Sequence, residues 1–244
     1  MSNMNYHVFE SSEQVVQALA KSLKEYSELG RPVHISLSGG STPSQLFAYL
    51  SGSEFALSIQ WQNLHFWWGD ERCVAPDNEQ SNYGQAKALL FDHISIPAEN
   101  IHRIRGEDFA AMEAIRFAEE MMTVIPEKDG TPEFDWILLG MGTDGHTASL
   151  FPGQTNYETT EVAAIAAHPE TRQLRVTQTA HLLANAKRIT YLVLGASKAS
   201  VIKEIADNAP AAQTYPAANV SSTAGTTEWF LDSEAAKELA QGEK

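Results

Sequence analysis

Short apolar runs alternate with amphipathic stretches along this chain, and no segment of it repeats. Residues 9–29 carry apolar side chains at the spacing of one helical face, at Val15, Val16, Leu19, Leu23 and Tyr26. A Gly-Arg-Pro stop at 30–32 ends this predicted helix. Val33–Leu37 then alternates apolar and polar residues as a strand does. The pattern therefore predicts a helix followed by a strand.

The same periodicities predict a series of further elements. The strands are expected at Leu64–Trp68, 101–104, 134–139 and 188–194, and the helices after Pro43, at about 83–91, at Ala110–Val124 and at 197–205. Strands separated by helices predict an α/β fold with a mainly parallel sheet. The length suits one domain over residues 1–244. Because ligands of such folds bind beyond the carboxyl ends of the strands, the loops at those ends are the candidates for a functional site.

A glycine-rich loop follows the first predicted strand. Ser38, Gly39, Gly40 and Ser41 lie between that strand and the next predicted helix. The backbone N–H groups of Gly39, Gly40 and Ser41 predict an anion cradle, which the helix dipole would assist. A simple N-cap turn, in which Ser41 or Thr42 caps the helix, fits the same residues. Both interpretations stay open from the sequence.

Charged residues follow two other predicted strands. Asp70, Glu71 and Arg72 come directly after an aromatic strand and one glycine, and Lys198 lies just beyond the strand at 188–194. The planar guanidinium of Arg72 suits bidentate phosphate binding. Two cations at two strand ends, facing a glycine cradle, predict a site for one phosphorylated small molecule.

The strand at 134–139 leads into a loop at 140–146 that satisfies the dinucleotide pattern G-x-G-x-x-G. A Pro-Gly pair at 152–153 stops the segment before a long helix forms, which argues against a dinucleotide. We interpret the glycines as allowing a small ligand to approach while they display Asp144 and His146. Histidine titrates near neutral pH, so His146 is the candidate general base or acid, and Asp144 would orient it.

Other titratable groups have plainer interpretations. His7, His93, His102 and His168 are expected to be solvated or hydrogen-bonded in place. Cys73 is a candidate nucleophile because an arginine precedes it, but without a positioned partner we interpret it as a packing residue. The sequence contains no G-x-S-x-G elbow, Walker A loop or H-E-x-x-H helix. Hydrolysis by a directly activated water is the simplest remaining chemistry.

Composition excludes several classes of protein. Lys plus Arg number 17 and Asp plus Glu number 31, so the net charge is 17 − 31 = −14. Such an excess of acid disfavours nucleic-acid binding and adhesion to membranes through a basic face. One cysteine permits no intramolecular disulfide, no apolar run has the length of a membrane span, and residues 1–10 show no secretory signal. We therefore expect a soluble, cytoplasmic protein with a small-molecule ligand.

Several segments together resemble the 6-phosphogluconolactonase family. They are Leu-Ser-Gly-Gly-Ser-Thr-Pro at 37–43, Trp-Gly-Asp-Glu-Arg-Cys-Val at 68–74, Ser-Asn-Tyr at 81–83, the fourteen residues of 140–153, Arg-Val-Thr at 175–177, Gly-Ala-Ser-Lys at 195–198 and Trp-Phe-Leu-Asp at 229–232. The resemblance covers nearly the whole chain, and the block at 140–153 is highly specific.

The resemblance implies hydrolysis of 6-phospho-D-glucono-1,5-lactone in the oxidative pentose phosphate pathway, without a cofactor. It also implies a Rossmann-like, mainly parallel twisted sheet flanked by helices, of the deaminase, ribose-5-phosphate isomerase and CoA-transferase type. His146 would deprotonate water and Asp144 would orient it. The expected substrate-binding or phosphate-binding residues are Ser38, Gly39, Gly40, Ser41, Asp70, Arg72, Gly142, Arg175 and Lys198.

Two rival functions stay open from the sequence. Glucosamine-6-phosphate deaminases share the glycine loop, but their pattern carries Glu five residues after the His and Tyr after the Asp-Glu pair, where this chain has Phe151 and Arg72. A non-catalytic sugar-phosphate sensor would need a DNA-binding segment. The 32 residues before the strand at Val33 have space for only one helix, and we find no helix-turn-helix pattern.

Overall fold

The structure, a computed structural model, describes residues 4–239. Residues 1–3 and 240–244 lie outside the described residues. They include both ends of the predicted 1–244 domain and the start of the segment 1–10, in which we expect no secretory signal. The strands are β1 Tyr6–Phe9, β2 Val33–Leu37, β3 Leu64–Trp68, β4 Asp70–Arg72, β5 Ile101–His102, β6 Glu127–Lys128, β7 Thr131–Pro132, β8 Trp136–Gly140, β9 Ala163–Ala167, β10 Leu174–Gln178, β11 Arg188–Val193 and β12 Thr226–Asp232. The α-helices are α1 Ser12–Ser27, α2 Ser41–Leu50, α3 Ser53–Ser58, α4 Asn82–Leu89, α5 Ala110–Val124, α6 Ala180–Ala184, α7 Ala199–Ala206 and α8 Pro216–Asn219.

Seven strands form one parallel sheet in the order β1-β12-β11-β8-β2-β3-β5. With the helices that surround it, this sheet confirms the expected α/β fold. The order places β11, β8, β2 and β3 side by side, so the loops that follow these four strands open at one edge of the sheet. Within residues 4–239 no helix is long and apolar enough to cross a membrane.

The helices bury apolar faces against this sheet, as the periodicity predicted. In α1 the buried residues include Val15, Leu19 and Leu23, spaced four apart on one face. Ser11 caps this helix by accepting a hydrogen bond from the Gln14 N–H at 3.3 Å. Burial of each such aliphatic side chain contributes roughly 1.5–3 kcal/mol to folding. The core therefore holds the strand ends, and the loops on them, in fixed positions.

A second, antiparallel sheet of order β4-β10-β9 stands beside the main one, and the sequence pattern did not predict it. Ala163–Ala167 is nearly all alanine and shows no polar alternation, while Asp70–Arg72 is a charged triplet that we expected in a loop. Pairing with β10, rather than local preference, makes both of them strands. This sheet forms one wall of the site described below.

The boundaries of several predicted elements were wrong. The strand at 101–104 is only Ile101–His102, and the helix at 197–205 is divided into a 3-10 turn, Ala196–Lys198, and α7. The strand at Val33 is not the first, because β1 precedes α1 and pairs with β12. This pairing joins residues more than 200 positions apart, which local sequence patterns cannot show.

A cluster of histidines lies on β2, β3 and β5. His34 is buried, and its Nδ1 accepts a hydrogen bond from the Trp67 indole at 3.2 Å. His65 Nδ1 lies 3.0 Å from His102 Nε2, and His102 Nδ1 lies 2.7 Å from the Glu120 carboxylate. Burial, with the neighbouring His65, lowers the pKa of His34 from 6.5 to about 4. His34 is therefore neutral in the folded protein at physiological pH.

We expect this cluster to make folding stability sensitive to mild acid. Between pH 6.5 and about 4 the unfolded chain binds a proton at residue 34 that the folded chain does not, so the free energy of unfolding falls as the pH falls through this window. Urea denaturation at a series of pH values should show this fall. The variant His34→Gln, which keeps an acceptor for Trp67, should show a shallower dependence, and an unchanged slope would contradict the assignment.

Candidate active site

The loops that follow β2, β8 and β11 at the carboxyl edge of the main sheet, with β4 and β10 of the second sheet and the start of α4, surround a cavity of about 290 Å³. Ten of the eleven predicted site residues line it, namely Ser38, Gly39, Gly40, Ser41, Asp70, Arg72, Gly142, His146, Arg175 and Lys198. Asp144, the eleventh, contacts the His146 ring. The structure thus brings together residues from five separate segments of the chain.

The loop after β8 holds His146 and Asp144 in one rigid turn. The Gly142 N–H donates to the His146 carbonyl at 2.9 Å, and the His146 N–H donates to the Asp144 carboxylate at 3.1 Å. A Cβ on residue 142 would lie 2.2 Å from His146 Nδ1 and 2.5 Å from Asp144 Oδ1. Only glycine therefore lets the two side chains fold back over the backbone at this position. Unlike a dinucleotide loop, this turn leads into no helix within the described part of the chain.

The imidazole of His146 is oriented by its carboxylate neighbour. His146 Nδ1 lies 2.6 Å from Asp144 Oδ1. This contact favours the neutral tautomer that carries its proton on Nδ1, in which Nε2 is the nitrogen able to accept a proton. Partial burial acts to raise the pKa of Asp144, but the charge of His146 and its hydrogen bonds outweigh burial, and the net pKa is lowered. The pair has the geometry of a base with its orienting acid.

The loop after β2 presents an open helix N-terminus to the cavity. Gly40, at φ +107°, is the N-cap of α2, and no side chain among residues 4–239 caps this helix. The alternative in which Ser41 or Thr42 caps α2 is therefore wrong. Ser38 is buried, and its Oγ has no hydrogen-bond partner in the described structure. Free amides and an unpaired hydroxyl at a positive helix end are what an anion-binding loop needs.

Two arginines lie side by side on the second sheet. Arg72 and Arg175 are directly opposed in the β4–β10 register, and the Nε atoms of both are buried with no partner among the described residues. Arg72 Nη1 donates to the Gln80 carbonyl at 2.6 Å, and Arg175 Nη1 lies 3.6 Å from Asp70 Oδ2. Burial and the positive charge of Arg72 lower the pKa of Arg175. The negative charge of Asp70 acts to raise this pKa, but the net pKa is lowered. Buried donors of like charge indicate an anionic ligand.

Lys198 adds a third cation from the loop after β11. It follows Gly195, whose φ of +89° turns the chain out of the strand, and whose N–H donates to the Asp232 carboxylate at 3.0 Å. Partial burial lowers the pKa of Lys198, and the negative charge of the nearby Asp144 opposes this effect. No ion pair of the described residues includes Lys198. Its ammonium is therefore available to a ligand.

The acids of the charged triplet serve the architecture of the site. The Asp70 carboxylate accepts from the Ser149 hydroxyl at 2.6 Å and faces Arg175. Glu71 is buried and accepts the backbone N–H groups of Asn82 and Tyr83, each at 2.9 Å, at the start of α4. Burial raises the pKa of Glu71, and these hydrogen bonds oppose that rise. The two acids thus fix the second sheet to the rest of the site.

Asn82 is a site residue to which sequence reasoning gave no role. Asn82 lines the cavity, its Nδ2 donates to the Asp70 carbonyl at 2.9 Å, and its Oδ1 is buried without a partner in the described structure. A Cβ on residue 39 would lie 1.8 Å from that oxygen, so Gly39 is required for the close packing of Asn82. The segment at 81–83 belongs to the family pattern, but Asn82 begins a helix and so lacks the strand-end position that identified the other residues.

The remaining candidates have structural partners. His7 lies 3.7 Å from the Glu228 carboxylate, His93 Nε2 lies 2.9 Å from a backbone carbonyl, and His168 Nδ1 accepts backbone N–H groups at 3.3 Å. His102 belongs to the cluster on β2, β3 and β5. Cys73 packs half-buried against the core, where burial raises the pKa of its thiol and disfavours a nucleophilic thiolate. None of these five residues lines the cavity in the described chain.

This chain is similar in sequence and in fold to known proteins. The model of the family described as glucosamine-6-phosphate isomerases/6-phosphogluconolactonase matches residues 9–229. A 6-phosphogluconolactonase of Haemophilus influenzae is 55% identical over 97% of this chain and 100% of its own length. A crystal structure of a protein called devB is 58% identical, with a TM-score of 0.95 over 97% of this chain and 100% of its own. The structure of 6-phosphogluconolactonase from Trypanosoma brucei is 29% identical, with a TM-score of 0.81 over 98% of this chain and 100% of its own.

The match with the family model spans most of the sequence, including the loops that line the cavity. The similarity to the relative from Haemophilus influenzae extends over nearly the whole chain. The chain therefore belongs to the glucosamine-6-phosphate isomerase/6-phosphogluconolactonase family.

Proposed function

We propose that this chain hydrolyses 6-phospho-D-glucono-1,5-lactone to 6-phospho-D-gluconate in the oxidative pentose phosphate pathway, with a water that His146 activates. The observation that carries the proposal is the His146–Asp144 pair, with 2.6 Å between Nδ1 and Oδ1, at a cavity lined by three cations. Relatives named 6-phosphogluconolactonase at 55% and 53% identity, each matched over its whole length, support the same activity.

His146 acts first as base and then as acid. Its Nε2 accepts a proton from water while the water oxygen attacks the lactone carbonyl carbon, and the carbonyl oxygen becomes an oxyanion. When this intermediate collapses, the bond from the carbonyl carbon to the ring oxygen breaks. The ring oxygen leaves as the sugar hydroxyl and takes the proton back from Nε2. The other proton of the water stays on the new carboxyl group, which releases it to solvent as the carboxylate forms. Asp144 keeps the ring in the productive orientation throughout.

The cations and the open helix end bind the charges of the substrate. Arg72 and Lys198 hold the 6-phosphate, and Arg175 shares the buried guanidinium pair with Arg72. The amides of the loop at 38–41 serve either the phosphate or the oxyanion, both of which are anions that suit a helix N-terminus. The unpartnered Nε and Oγ atoms among these groups support this assignment, because a bound anion would satisfy them.

The deaminase alternative lacks its second acid at this site. The fifth residue after His146 is Phe151, whose ring is buried. The centres of the Phe151 ring and the imidazole lie 5.1 Å apart, and the phenyl ring has no acidic proton to donate. Arg72 likewise stands where deaminases carry tyrosine, and it adds a charge to the cavity. The chemistry of the site therefore favours hydrolysis over opening of an amino-sugar ring.

The test measures hydrolysis of the lactone by the purified chain. Proton release monitors the reaction, and the rate is corrected for spontaneous hydrolysis. We expect acceleration that depends on enzyme concentration, and no ammonia from glucosamine 6-phosphate. Ammonia release without lactone hydrolysis would replace the proposal with the deaminase assignment.

We also propose that the enzyme acts in the cytoplasm on this small molecule and binds no nucleic acid, as the single cysteine and the charge of −14 support.

The orienting role of Asp144 predicts a loss in the chemical step. In Asp144→Asn the carboxylate that holds the Nδ1 proton is gone, so the productive ring orientation is less populated. We expect kcat to fall by roughly tenfold to a hundredfold with little change in KM, because the side chain is partly exposed to water and its electrostatic effect is moderate. Steady-state kinetics on the lactone measure this. A change in KM alone would mean that Asp144 binds substrate instead.

A further inference from the structure

Phe151 is a buried aromatic residue in the same loop as His146. Its side chain packs against the imidazole, with the two ring planes at 48°. Asp144 contacts the imidazole at Nδ1, and a contact at one atom leaves a ring plane free to tilt about that atom. Because side chains in a buried position are closely packed, the phenyl ring restricts this tilt. Phe151 and Asp144 therefore constrain different movements of the same imidazole.

The same phenyl ring contacts Arg175. The guanidinium carbon of Arg175 lies 5.8 Å from the centre of the Phe151 ring, within the range of a cation–π interaction. The polar contacts of this guanidinium are long, since Nη1 lies 3.6 Å from Asp70 Oδ2 and 3.5 Å from the Ser149 hydroxyl. Attraction between a cation and a ring face is stronger where water is excluded. The phenyl ring thus contributes to holding a guanidinium whose other contacts are weak.

Phe151 is itself held in place by its neighbours. Its backbone carbonyl accepts hydrogen bonds from the Gln154 N–H at 3.1 Å and from the Thr155 hydroxyl at 2.9 Å. His168, which follows β9, packs against the phenyl ring with the two ring centres 5.4 Å apart. The Nδ1 atom of His168 accepts two backbone N–H groups, which fixes that ring as well. The phenyl ring therefore has a defined position between the two basic groups that it contacts.

The two basic groups come from different sheets. His146 lies in the loop after β8 of the main sheet, whereas Arg175 lies on β10 of the second sheet. A base and an anion-binding group act on one substrate only when their separation matches the distance between the reacting carbon and the anion. Phe151 contacts both side chains but does not line the cavity in the described structure. It can therefore act only through these neighbours.

We propose that Phe151 is a positioning residue that holds the base His146 and the anion-binding Arg175 at a fixed separation. One buried ring then affects both the chemical step and the binding of the substrate phosphate. The phenyl ring itself neither donates nor accepts a proton. This inference rests on the proposed hydrolysis, because it takes the roles of His146 and Arg175 from it.

Phe151→Leu tests this role, since it keeps an apolar side chain but removes the aromatic ring. We expect kcat for the lactone to fall by about twofold to tenfold, the factor by which an aromatic pair can favour one orientation. The dissociation constant of inorganic phosphate, measured by titration calorimetry, should rise by about twofold to fivefold, as loss of a cation–π contact implies.

Phe117→Leu is the matched control, because it makes the same change at a buried phenylalanine of α5 that does not line the cavity. It should lower the melting temperature but leave kcat and the phosphate dissociation constant unchanged. In an Arg175→Ala background, Phe151→Leu should weaken phosphate binding no further, since the two residues act through one contact. A further loss of the same size would show that the ring does not act through Arg175 and would overturn the proposal.

The proposal is also overturned if a folded Phe151→Leu variant keeps both constants, or if only one of them changes, because a shared support must affect both. Calorimetry with phosphate requires no turnover, so the two levels of inference can be told apart. A parent chain that binds phosphate without hydrolysing the lactone removes the proposed function and this inference with it. An active parent chain with an unaffected Phe151→Leu variant removes this inference alone.

A ring-fluorinated phenylalanine at residue 151 covers the case in which Phe151→Leu folds poorly. Fluorine nearly preserves the shape of the ring but withdraws electrons from its face, so the attraction for the Arg175 guanidinium weakens. Phosphate should then bind less tightly than to the parent chain. An unchanged phosphate dissociation constant in the fluorinated chain would contradict the contact on which the proposal depends.

Discussion

Replacing His146 with alanine should lower kcat for the lactone by about two to four orders of magnitude, the usual contribution of a positioned general base. The His146 imidazole lines the cavity, and its contact with Asp144 at Nδ1 orients the ring so that Nε2 can take up a proton from water. Without it, water must be deprotonated by bulk solvent. KM should change little, because the phosphate and its cations are untouched. Initial rates over a range of lactone concentrations separate the two constants.

The control for this prediction is His93→Ala, which removes a histidine that bonds to a backbone carbonyl away from the cavity. It should keep full activity. Thermal melting of His146→Ala should match the parent chain, because the ring is 29% exposed and its backbone bonds remain. An unchanged kcat in a folded His146→Ala protein would end the assignment of His146 as the base.

Most of the main sheet and of the site could be predicted because both depend on short-range patterns. The segments at 38, 70, 140 and 195 each lie at the end of an apolar strand, and the carboxyl ends of parallel strands share one edge. His146, Arg72 and Lys198 therefore had to lie near one another once the fold class was known. The family resemblance then supplied the reaction, which the residues alone left open.

The parts that escaped prediction depend on long-range pairing. β4 and β9 are strands only because β10 lies between them, and neither carries the alternation typical of a strand. Asn82 enters the cavity because Gly39, 43 positions earlier, has no Cβ, which no local pattern reveals. The capping alternative for the loop at 38–41 failed for a similar reason, since Gly40 occupies the N-cap and leaves the amides free.

A chain with a large excess of acidic residues can still bind the proposed anionic substrate, because electrostatic interactions in salt solution act over short distances. At physiological ionic strength the screening length is about 8 Å, so distant carboxylates hardly influence the cavity. Within it, Arg72, Arg175 and Lys198 outnumber Asp70, the one carboxylate among the described lining residues. The cavity thus carries a local excess of positive charge at the place where we propose that the phosphate binds.

Replacing Arg72 with alanine should therefore raise KM by roughly tenfold to a hundredfold, which corresponds to about 1.5–3 kcal/mol for a charge-assisted phosphate contact. The change should leave kcat nearly unaltered, since Arg72 is expected to bind the phosphate far from the reacting carbonyl. It should also cost little stability, because the one hydrogen bond of its guanidinium within the described structure is to the Gln80 carbonyl, and its removal relieves repulsion of Arg175.

Inorganic phosphate gives a second measure of the same contact, independent of the reaction. As a competitive inhibitor it should bind the parent chain more tightly than Arg72→Ala, by a factor close to the change in KM. Arg105→Ala, at an exposed arginine that does not line the cavity, is the matched control and should alter neither constant. If kcat alone fell in Arg72→Ala while phosphate inhibition stayed the same, the guanidinium would belong to the chemistry at the carbonyl. The phosphate would then be held by Lys198 and the amides of the loop at 38–41.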